Sequence, residues 1–229
     1  MVATQTLGYG DANEDATMAL DFGARRKLAV LADGVGSTKA GGLAASEAVS
    51  YVCEKLFEDF SVPMDDLFHL VQRHLEKISV SQPSMATTLT VVRANGLLFD
   101  VGHLGDTRAY HLRGSGIIDL TRDQNQGQLL IEQGVFDRQN IHRFPARNVL
   151  YSYLAPHQEF QLFRSSGEAI RGDRFVIVSD GLYDVIKRKE LAAANLESQS
   201  PKEFIESLWR ILLDRAPRDD ASISCFQIE

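Results

Sequence analysis

The chain has 229 residues, 44% of them hydrophobic, which is enough to bury one sizeable core. It lacks a Pro/Gly/Ser-rich stretch long enough to separate two domains, so we expect a single domain over residues 1–229. Asp and Glu (31) outnumber Lys and Arg (24), and the net charge of -7 disfavours a nucleic-acid-binding or anionic-membrane surface, but not a bound metal cation. Residues 1–15 lack the basic and apolar regions of a secretory signal, and a cytoplasmic location is expected.

The first third of the chain predicts a buried strand followed by two helices. Residues 26–32 are a compact apolar run that stops at Asp33 and the turn-forming sequence DGVGS. Apolar residues then recur at three- and four-residue spacing in two stretches, 45–60 and 64–78. This spacing predicts two amphipathic helices.

The middle of the chain changes to short segments rich in β-branched and aromatic residues. Asn-Gly, Gly-Asp and Gly-Ser-Gly separate these segments, as in antiparallel hairpins. We therefore predict a four-strand meander over 84–94, 97–105, 107–113 and 116–121. Residues 124–148 are polar and irregular, with a short helix predicted at 127–134.

The last third predicts a strand over 173–179 that ends at Asp180, one helix, and a closing strand over 219–228. Ser200, Pro201 and Glu203 match an N-cap, a first-turn proline and a reciprocal acid before an apolar helical stripe. Strict βαβ alternation is missing, so the fold class is predicted to be α+β with antiparallel sheets.

Acidic residues recur where an apolar strand meets a turn. They are found at four places: Glu14 with Asp15, Asp33, Asp180, and Asp219 with Asp220. One such residue is usually explained by turn chemistry or helix capping. If the four strands lie side by side, however, the carboxylates converge at one edge and raise one another's pKa unless cations neutralise them.

Hard oxygen ligands without a paired His or Cys motif suit Mg²⁺ or Mn²⁺ better than Zn²⁺. Two such ions about 4 Å apart can share a water and stabilise both the attacking and the leaving oxygen of a phosphoryl transfer. The carboxylates therefore favour hydrolysis of a phosphoester. Gly34 fits this interpretation, since a backbone carbonyl ligand needs close approach of the chain to the metal.

The sequence resembles the type 2C (PPM) metal-dependent Ser/Thr protein phosphatases, and in particular a bacterial-type single-domain member. The matching motifs cover nearly the whole chain in the family's order: NED at 13–15, DGVGSTKAG at 33–41, MATT at 85–88, VGHLGDTRAY at 101–110, LTRD at 120–123, PARNVL at 145–150, SDGLYD at 179–184 and DDAS at 219–222. The resemblance implies a four-layer α-β-β-α sandwich of two antiparallel sheets flanked by helices. It also implies Mn²⁺ or Mg²⁺, two per chain, at one end of the sheets.

The resemblance also assigns the site residues. Asp33 would bridge the two metals, with Asp180 and Asp219 completing one site, and these three are the predicted catalytic residues. The remaining predicted metal ligands are Glu14, Asp15, the carbonyl of Gly34, and Asp123, which with Asp180 would hold a third and weaker ion. Asp106 would accept a hydrogen bond from metal-bound water, and residues 124–148 would form a flap beside the site.

The phosphate-binding part of the family pattern is altered. Gly10 stands where the family commonly has a phosphate-gripping Arg, and glycine cannot replace a bidentate guanidinium. Arg143 or Arg147 on the flap is the predicted substitute.

The family's usual His after the DG turn is Thr38 here, and the usual His after the Asp of LTRD is Gln124. A neutral threonine is a poor general acid. The predicted metal ligands are thus retained better than the groups that would bind or protonate substrate.

The expected function is hydrolysis of phosphoserine and phosphothreonine in proteins, reversing a cognate Ser/Thr kinase, by a monomer that binds neither nucleic acid nor membrane. Two alternatives remain open. One is a catalytically weak module that binds a phosphoprotein or a kinase, and the other is a hydrolase of small phosphoesters. Retention of every acidic position favours the enzyme, because an unneutralised cluster of acids costs stability.

Overall fold

The structure, a computed structural model, describes residues 1–9, 12–36, 39–81 and 84–229. In these ranges ten strands form two five-stranded antiparallel sheets. The first sheet has the order β1 (Val2–Leu7), β10 (Ala221–Gln227), β9 (Arg174–Val178), β6 (Arg108–Arg113) and β7 (Gly116–Asp119). The second has the order β2 (Asp15–Gly23), β3 (Arg26–Asp33), β4 (Leu89–Asn95), β5 (Leu98–Leu104) and β8 (Phe163–Glu168).

Helices cover the outer face of each sheet. Those of the described residues are α1 (Lys39–Glu58), α2 (Met64–Ile78), α3 (Gln126–Glu132), α4 (Asp180–Tyr183), α5 (Arg188–Glu197) and α6 (Pro201–Asp214). Helices α1 and α2 pack on the second sheet, whereas α5 and α6 pack on the first. None of these helices is long and apolar enough to cross a bilayer.

Strand β3 shows how alternation builds the layers. Leu28 and Val30 face α1 and α2, whereas Ala29 and Leu31 face the other sheet, where they join Phe175 and the rest of the inter-sheet core. All of these side chains are buried. The α+β class and the four-layer α-β-β-α sandwich predicted from sequence are confirmed.

The predicted meander is wrong in one respect. β4 and β5 form a hairpin in the second sheet, whereas β6 and β7 form a hairpin in the first. The chain crosses between the sheets at 105–107, where Gly105 adopts a φ of 103° that side-chain-bearing residues rarely adopt. Local patterning identifies strands and hairpins, but it does not determine which sheet each hairpin joins.

The predicted start of α6 is confirmed. Ser200 Oγ accepts a hydrogen bond from the Glu203 backbone N–H at 3.2 Å, and Pro201 is the first helical residue. The Glu203 carboxylate accepts from the backbone N–H of Gln199 rather than from that of Ser200.

Candidate metal centre and active site

Asp15 and Asp33 face each other across β2 and β3, where they form a cross-strand pair at the end of the sheet. The backbone of Asp33 is fixed on its other side by Thr88. The Asp33 N–H donates to Thr88 Oγ1 at 2.8 Å, and the Thr88 N–H donates to the Asp33 carbonyl at 2.8 Å. Two of the predicted ligands are therefore neighbours on a rigid strand end.

Ser179 connects this strand end to the other sheet. Its hydroxyl donates to Asp15 Oδ2 at 2.7 Å and accepts from the Ser222 N–H at 2.9 Å. Ser179 is fully buried, and Asp180 follows it as the first residue of α4. The hydroxyl therefore holds the end of β9, and with it Asp180, against Asp15.

Gly181 allows the turn before β10 to lie against α4. A Cβ at this position would stand 2.2 Å from the Asp220 carbonyl oxygen and 3.1 Å from that of Asp219. Only a glycine fits such a close backbone approach. This close approach brings Asp219 beside Asp180.

Asp220 fixes the N-terminal segment that carries Glu14. Its Oδ1 accepts from the Tyr9 N–H at 2.5 Å, and its Oδ2 accepts from the Glu14 N–H at 2.6 Å. Sequence reasoning counted Asp220 among the strand-end acids but gave it no role. The adjacent Asp219–Asp220 pair was the available signal that one acid could face the cavity while the other supports the backbone.

A cavity of about 480 Å³ opens at this end of the sheets. Its lining includes the predicted site residues Glu14, Asp33, Gly34, Asp106, Asp180 and Asp219. Asn148, Val149 and Leu150, from the end of the predicted flap and just beyond it, line the same cavity. Acids from five separate parts of the chain thus border one space. Four of them are the strand-end positions predicted from sequence, and the fifth is Asp106.

Burial and mutual repulsion strongly perturb these carboxyl groups. Burial raises the pKa of Asp15 and of Asp106 to about 7 and the pKa of Asp180 to about 6, and nearby carboxylates add to each effect. Burial, followed by the charges of Asp15 and Asp180, also raises the pKa of Asp33 well above its usual range. Such a cluster favours bound cations, because their positive charge offsets the repulsion between the carboxylates.

The donor chemistry of the cavity fits divalent metals. Its charged groups are carboxylates, the ligands preferred by Mg²⁺ and Mn²⁺. Asp15 Oδ1 is buried and has no hydrogen-bond partner among the described residues, which leaves it available as a ligand. Within the described ranges no three His, Cys, Asp or Glu side chains already form a group that could hold an ion. The carboxylates therefore border the cavity without forming a closed ligand group among the described residues.

The packing of the backbone gives a further reason for glycine at position 34. A Cβ at this position would lie 2.4 Å from the Gly41 carbonyl carbon and 2.8 Å from the Gly42 nitrogen. The glycine thus lets the strand end pack against the backbone of α1. Its proposed carbonyl ligand role stays a prediction.

Asp106 lines the acidic cavity, whereas Asp123 lines an adjoining cavity of about 340 Å³. Asn125 Nδ2 lies 3.4 Å from Asp106 Oδ2. Both oxygens of Asp123 accept hydrogen bonds from Arg108, at 3.0 and 2.7 Å. Arg108 thus neutralises the Asp123 carboxylate and takes one lone-pair site on each of its oxygens, which weakens Asp123 as a ligand. Its role at a third ion stays a prediction.

The two candidate phosphate-binding arginines differ in position. Arg147 lines an adjoining cavity together with Asp180, whereas Arg143 lies on an exposed turn and lines neither that cavity nor the acidic one. The two departures at Gly10 and Thr38 lie outside the described residues.

A four-layer sandwich with a carboxylate-lined cavity at one end of its sheets defines the class of metal-dependent protein phosphatases. The model of the protein phosphatase 2C family matches residues 4–224. The chain therefore belongs to the protein phosphatase 2C family, and the family predicted from the motifs is confirmed.

Individual relatives agree with this assignment. The serine/threonine protein phosphatase PstP of Mycobacterium tuberculosis is 29% identical in an alignment of 210 residues that covers 87% of this chain and 38% of that protein. This chain thus spans well under half the length of that relative. The crystal structure of the M. tuberculosis serine/threonine phosphatase PstP/Ppp is 26% identical, with a TM-score of 0.87 over 100% of this chain and 98% of that one. A structure of the PstP catalytic domain in complex with two manganese ions matches at 26% identity and a TM-score of 0.81, with coverage of 100% and 98%.

Proposed function

We propose that this chain hydrolyses phosphoserine and phosphothreonine in proteins, using two divalent cations, Mn²⁺ or Mg²⁺, and so reverses a Ser/Thr kinase. The observation that carries this proposal is the cavity of about 480 Å³ bordered by acids of five separate chain segments. Membership of the protein phosphatase 2C family, and the two manganese ions in the related PstP catalytic domain, support it.

The proposed metal ligands are the acids predicted from sequence: Glu14, Asp15, Asp33, Asp180 and Asp219, with the carbonyl of Gly34. Two divalent cations held by these groups would supply a water of lowered pKa and neutralise negative charge on the phosphate. A third and weaker ion at Asp123 and Asp180 would have to compete with Arg108, which already pairs with the Asp123 carboxylate.

The protein's own contribution is to hold these carboxylates in place. Thr88 fixes the backbone of Asp33, Ser179 orients Asp15, and Asp220 fixes the backbone of Glu14. Ligands fixed by such supporting hydrogen bonds need little rearrangement during the reaction.

Substrate phosphate would be bound from the flap side. Arg147 lines the cavity that adjoins Asp180, so we propose it as the substitute for the missing family arginine, with Arg143 as the second candidate. A guanidinium there could donate two charge-assisted hydrogen bonds to phosphate oxygens.

The partners follow from the same proposal. They are a phosphorylated protein and the kinase that modifies it, with the chain acting as a monomer in the cytoplasm and binding neither nucleic acid nor membrane.

The test is an assay of p-nitrophenyl phosphate and a phosphothreonine peptide with added Mn²⁺, with and without EDTA. Asp33→Asn and Asp180→Asn are compared with the native chain and with Asp214→Asn, an exposed control at the end of α6. We expect metal-dependent turnover that both site substitutions reduce by roughly 10²–10³-fold, the scale for removing one group that stabilises a transition state. The control should retain native activity.

Two results would replace this proposal. If the chain binds Mn²⁺ but hydrolyses neither substrate, even after Gly10→Arg, it is a regulatory module that binds a phosphoprotein or a kinase. If it hydrolyses sugar phosphates or nucleotides but not phosphopeptides, it is a hydrolase of small phosphoesters.

A further inference from the structure

A second cavity of about 570 Å³ lies on the far side of Arg108 and Asp123 from the active site. We call it the basic cavity, because its lining carries five basic side chains: Arg108, Arg122, Arg138, Lys187 and Arg188. Only two acidic side chains line it, Asp119 and Asp123. The whole chain has a net charge of -7, so this concentration of positive charge is opposite to the overall balance.

Three of the five cations are paired. Arg108 pairs with Asp123, Arg188 with Asp119, and Arg122 with Glu132. Within the described part of the chain, the exposed side chains of Arg138 and Lys187 form no ion pair. These two charges are therefore available to a ligand.

A further cavity lies between the basic cavity and the acidic cavity. This third cavity, of about 340 Å³, shares Arg108 and Arg138 with the basic cavity and shares Asp180 and Asn148 with the acidic one. A chain whose phosphorylated residue lies at Asp180 could therefore continue along this surface toward Arg138.

The floor of the basic cavity is apolar. It is formed by Val178, Leu182, Ile186 and Leu191, which are all buried. An apolar floor with a charged rim suits a peptide, because the aliphatic parts of its side chains can pack below while its carboxylates meet the cations above.

We propose that the basic cavity binds Asp and Glu residues that flank the phosphorylated residue of the protein substrate. This inference rests on the proposed function, since it defines the substrate class of the same site. It makes the enzyme selective for phosphorylated residues in acidic sequence contexts, with Arg138 and Lys187 as the specificity-determining residues.

The experiment uses phosphothreonine peptides of equal length that carry three Glu residues before the phosphothreonine, three after it, or Gln at all six positions. KM and kcat are measured for the native chain, for Arg138→Gln/Lys187→Gln, and for the control Arg171→Gln/Lys189→Gln, whose residues do not line the cavity. p-Nitrophenyl phosphate serves as a substrate too small to reach the basic cavity.

For the native chain we expect at least one Glu peptide to have a KM about tenfold below that of the Gln peptide at low salt, as two partly exposed ion pairs would give. The Arg138/Lys187 double variant should lose this difference, and 0.5 M NaCl should largely remove it. Turnover of p-nitrophenyl phosphate should stay unchanged. The control double variant should behave as the native chain.

Fluorescence anisotropy with unphosphorylated Glu and Gln peptides tests the basic cavity without any hydrolysis. Tighter binding of a Glu peptide that Arg138→Gln/Lys187→Gln abolishes supports the proposal, even if no substrate is turned over and the proposed function fails. Equal binding and equal KM values for Glu and Gln peptides would overturn it. Displacement of the Glu peptide by inorganic phosphate at equal concentration would also overturn it, because the cavity would then be a site for small anions.

Discussion

Arg108 donates from Nε and Nη2 to the two carboxylate oxygens of Asp123, and its guanidinium lies 3.7 Å from the centre of the Tyr183 ring. This bidentate, stacked geometry is the strong form of an Arg–carboxylate pair. The positive charge thus stands where the family resemblance places a third metal ion. The pair also separates the acidic cavity from the basic cavity.

Freeing Asp123 should therefore create a site for a further ion. In Arg108→Gln we expect an additional Mn²⁺ equivalent to bind at least about tenfold more tightly than in the native chain, a change of about 1.4 kcal/mol. Calorimetric titration with Mn²⁺ measures this, with circular dichroism to confirm folding. Arg188→Gln, which removes a cation that pairs with exposed Asp119, is the matched control and should titrate as the native chain. Identical stoichiometry and affinity in all three proteins would show that Arg108 does not exclude a third ion.

The substitution Asp220→Asn should loosen the N-terminal segment that carries Glu14 and lower the stability of the protein. Both Asp220 oxygens accept hydrogen bonds from backbone N–H groups. In Asn one of these oxygens becomes an NH₂ group, which would place a donor against a donor. We expect a loss of about 1 kcal/mol in the free energy of unfolding, because a part-buried backbone N–H loses its charged acceptor. Urea denaturation measures the change, and Asp214→Asn at the exposed end of α6 is the control. Native stability of Asp220→Asn would contradict this supporting role.

Gly181→Ala should separate Asp180 from Asp219. The new Cβ would meet the Asp220 carbonyl oxygen at 2.2 Å, so the turn before β10 has to move. We expect a destabilisation of about 1–3 kcal/mol, typical of overpacking, together with weaker Mn²⁺ binding. Gly116→Ala is a suitable control, since its Cβ would lie 3.2 Å from the Arg113 carbonyl oxygen, a much milder contact. Unchanged Mn²⁺ affinity in Gly181→Ala would mean that the turn adjusts without moving Asp219.

The sequence predicted the main strands and the acidic edge because both depend on local patterns. Asp33 and Asp180 each follow a compact apolar run, and a run of that length stops where a strand meets a loop. To predict that the acids converge, the only further assumption was that these strands lie side by side. The cross-strand pairing of Asp15 with Asp33 is in keeping with that assumption.

Other features depend on contacts between distant parts of the chain. Ser179 is one residue before a predicted ligand, but its bonds to Asp15 and Ser222 join segments more than 40 residues away in each direction. Gln124 was noted only as a departure from the family pattern. In the structure its side chain accepts from the Gly105 N–H at 2.9 Å and donates to the Gln161 carbonyl at 2.7 Å. No local periodicity encodes such partners.

A cluster around Asp173, outside the acidic cavity, should contribute to the stability of the fold at acid pH. Asp173 is buried, and it accepts hydrogen bonds from His111 at 2.7 Å and from Arg113 at 2.7 to 3.2 Å. Burial alone would raise the pKa of Asp173, but the hydrogen bonds from Arg113, the Ile170 N–H and His111 outweigh it and lower the pKa.

A lowered pKa in the folded state means that the unfolded chain binds the proton more readily. The stabilisation from Asp173 is therefore fully present above the unfolded pKa of about 4 and is lost as the pH falls through the lower, folded value. We expect the unfolding free energy of the native chain to decrease as the pH falls below about 4. Asp173→Asn should be destabilised near neutral pH and should show a shallower decrease in this acid range. Urea denaturation between pH 3 and 7 measures both, with Asp214→Asn as control, and parallel pH profiles for Asp173→Asn and the native chain would rule out this role.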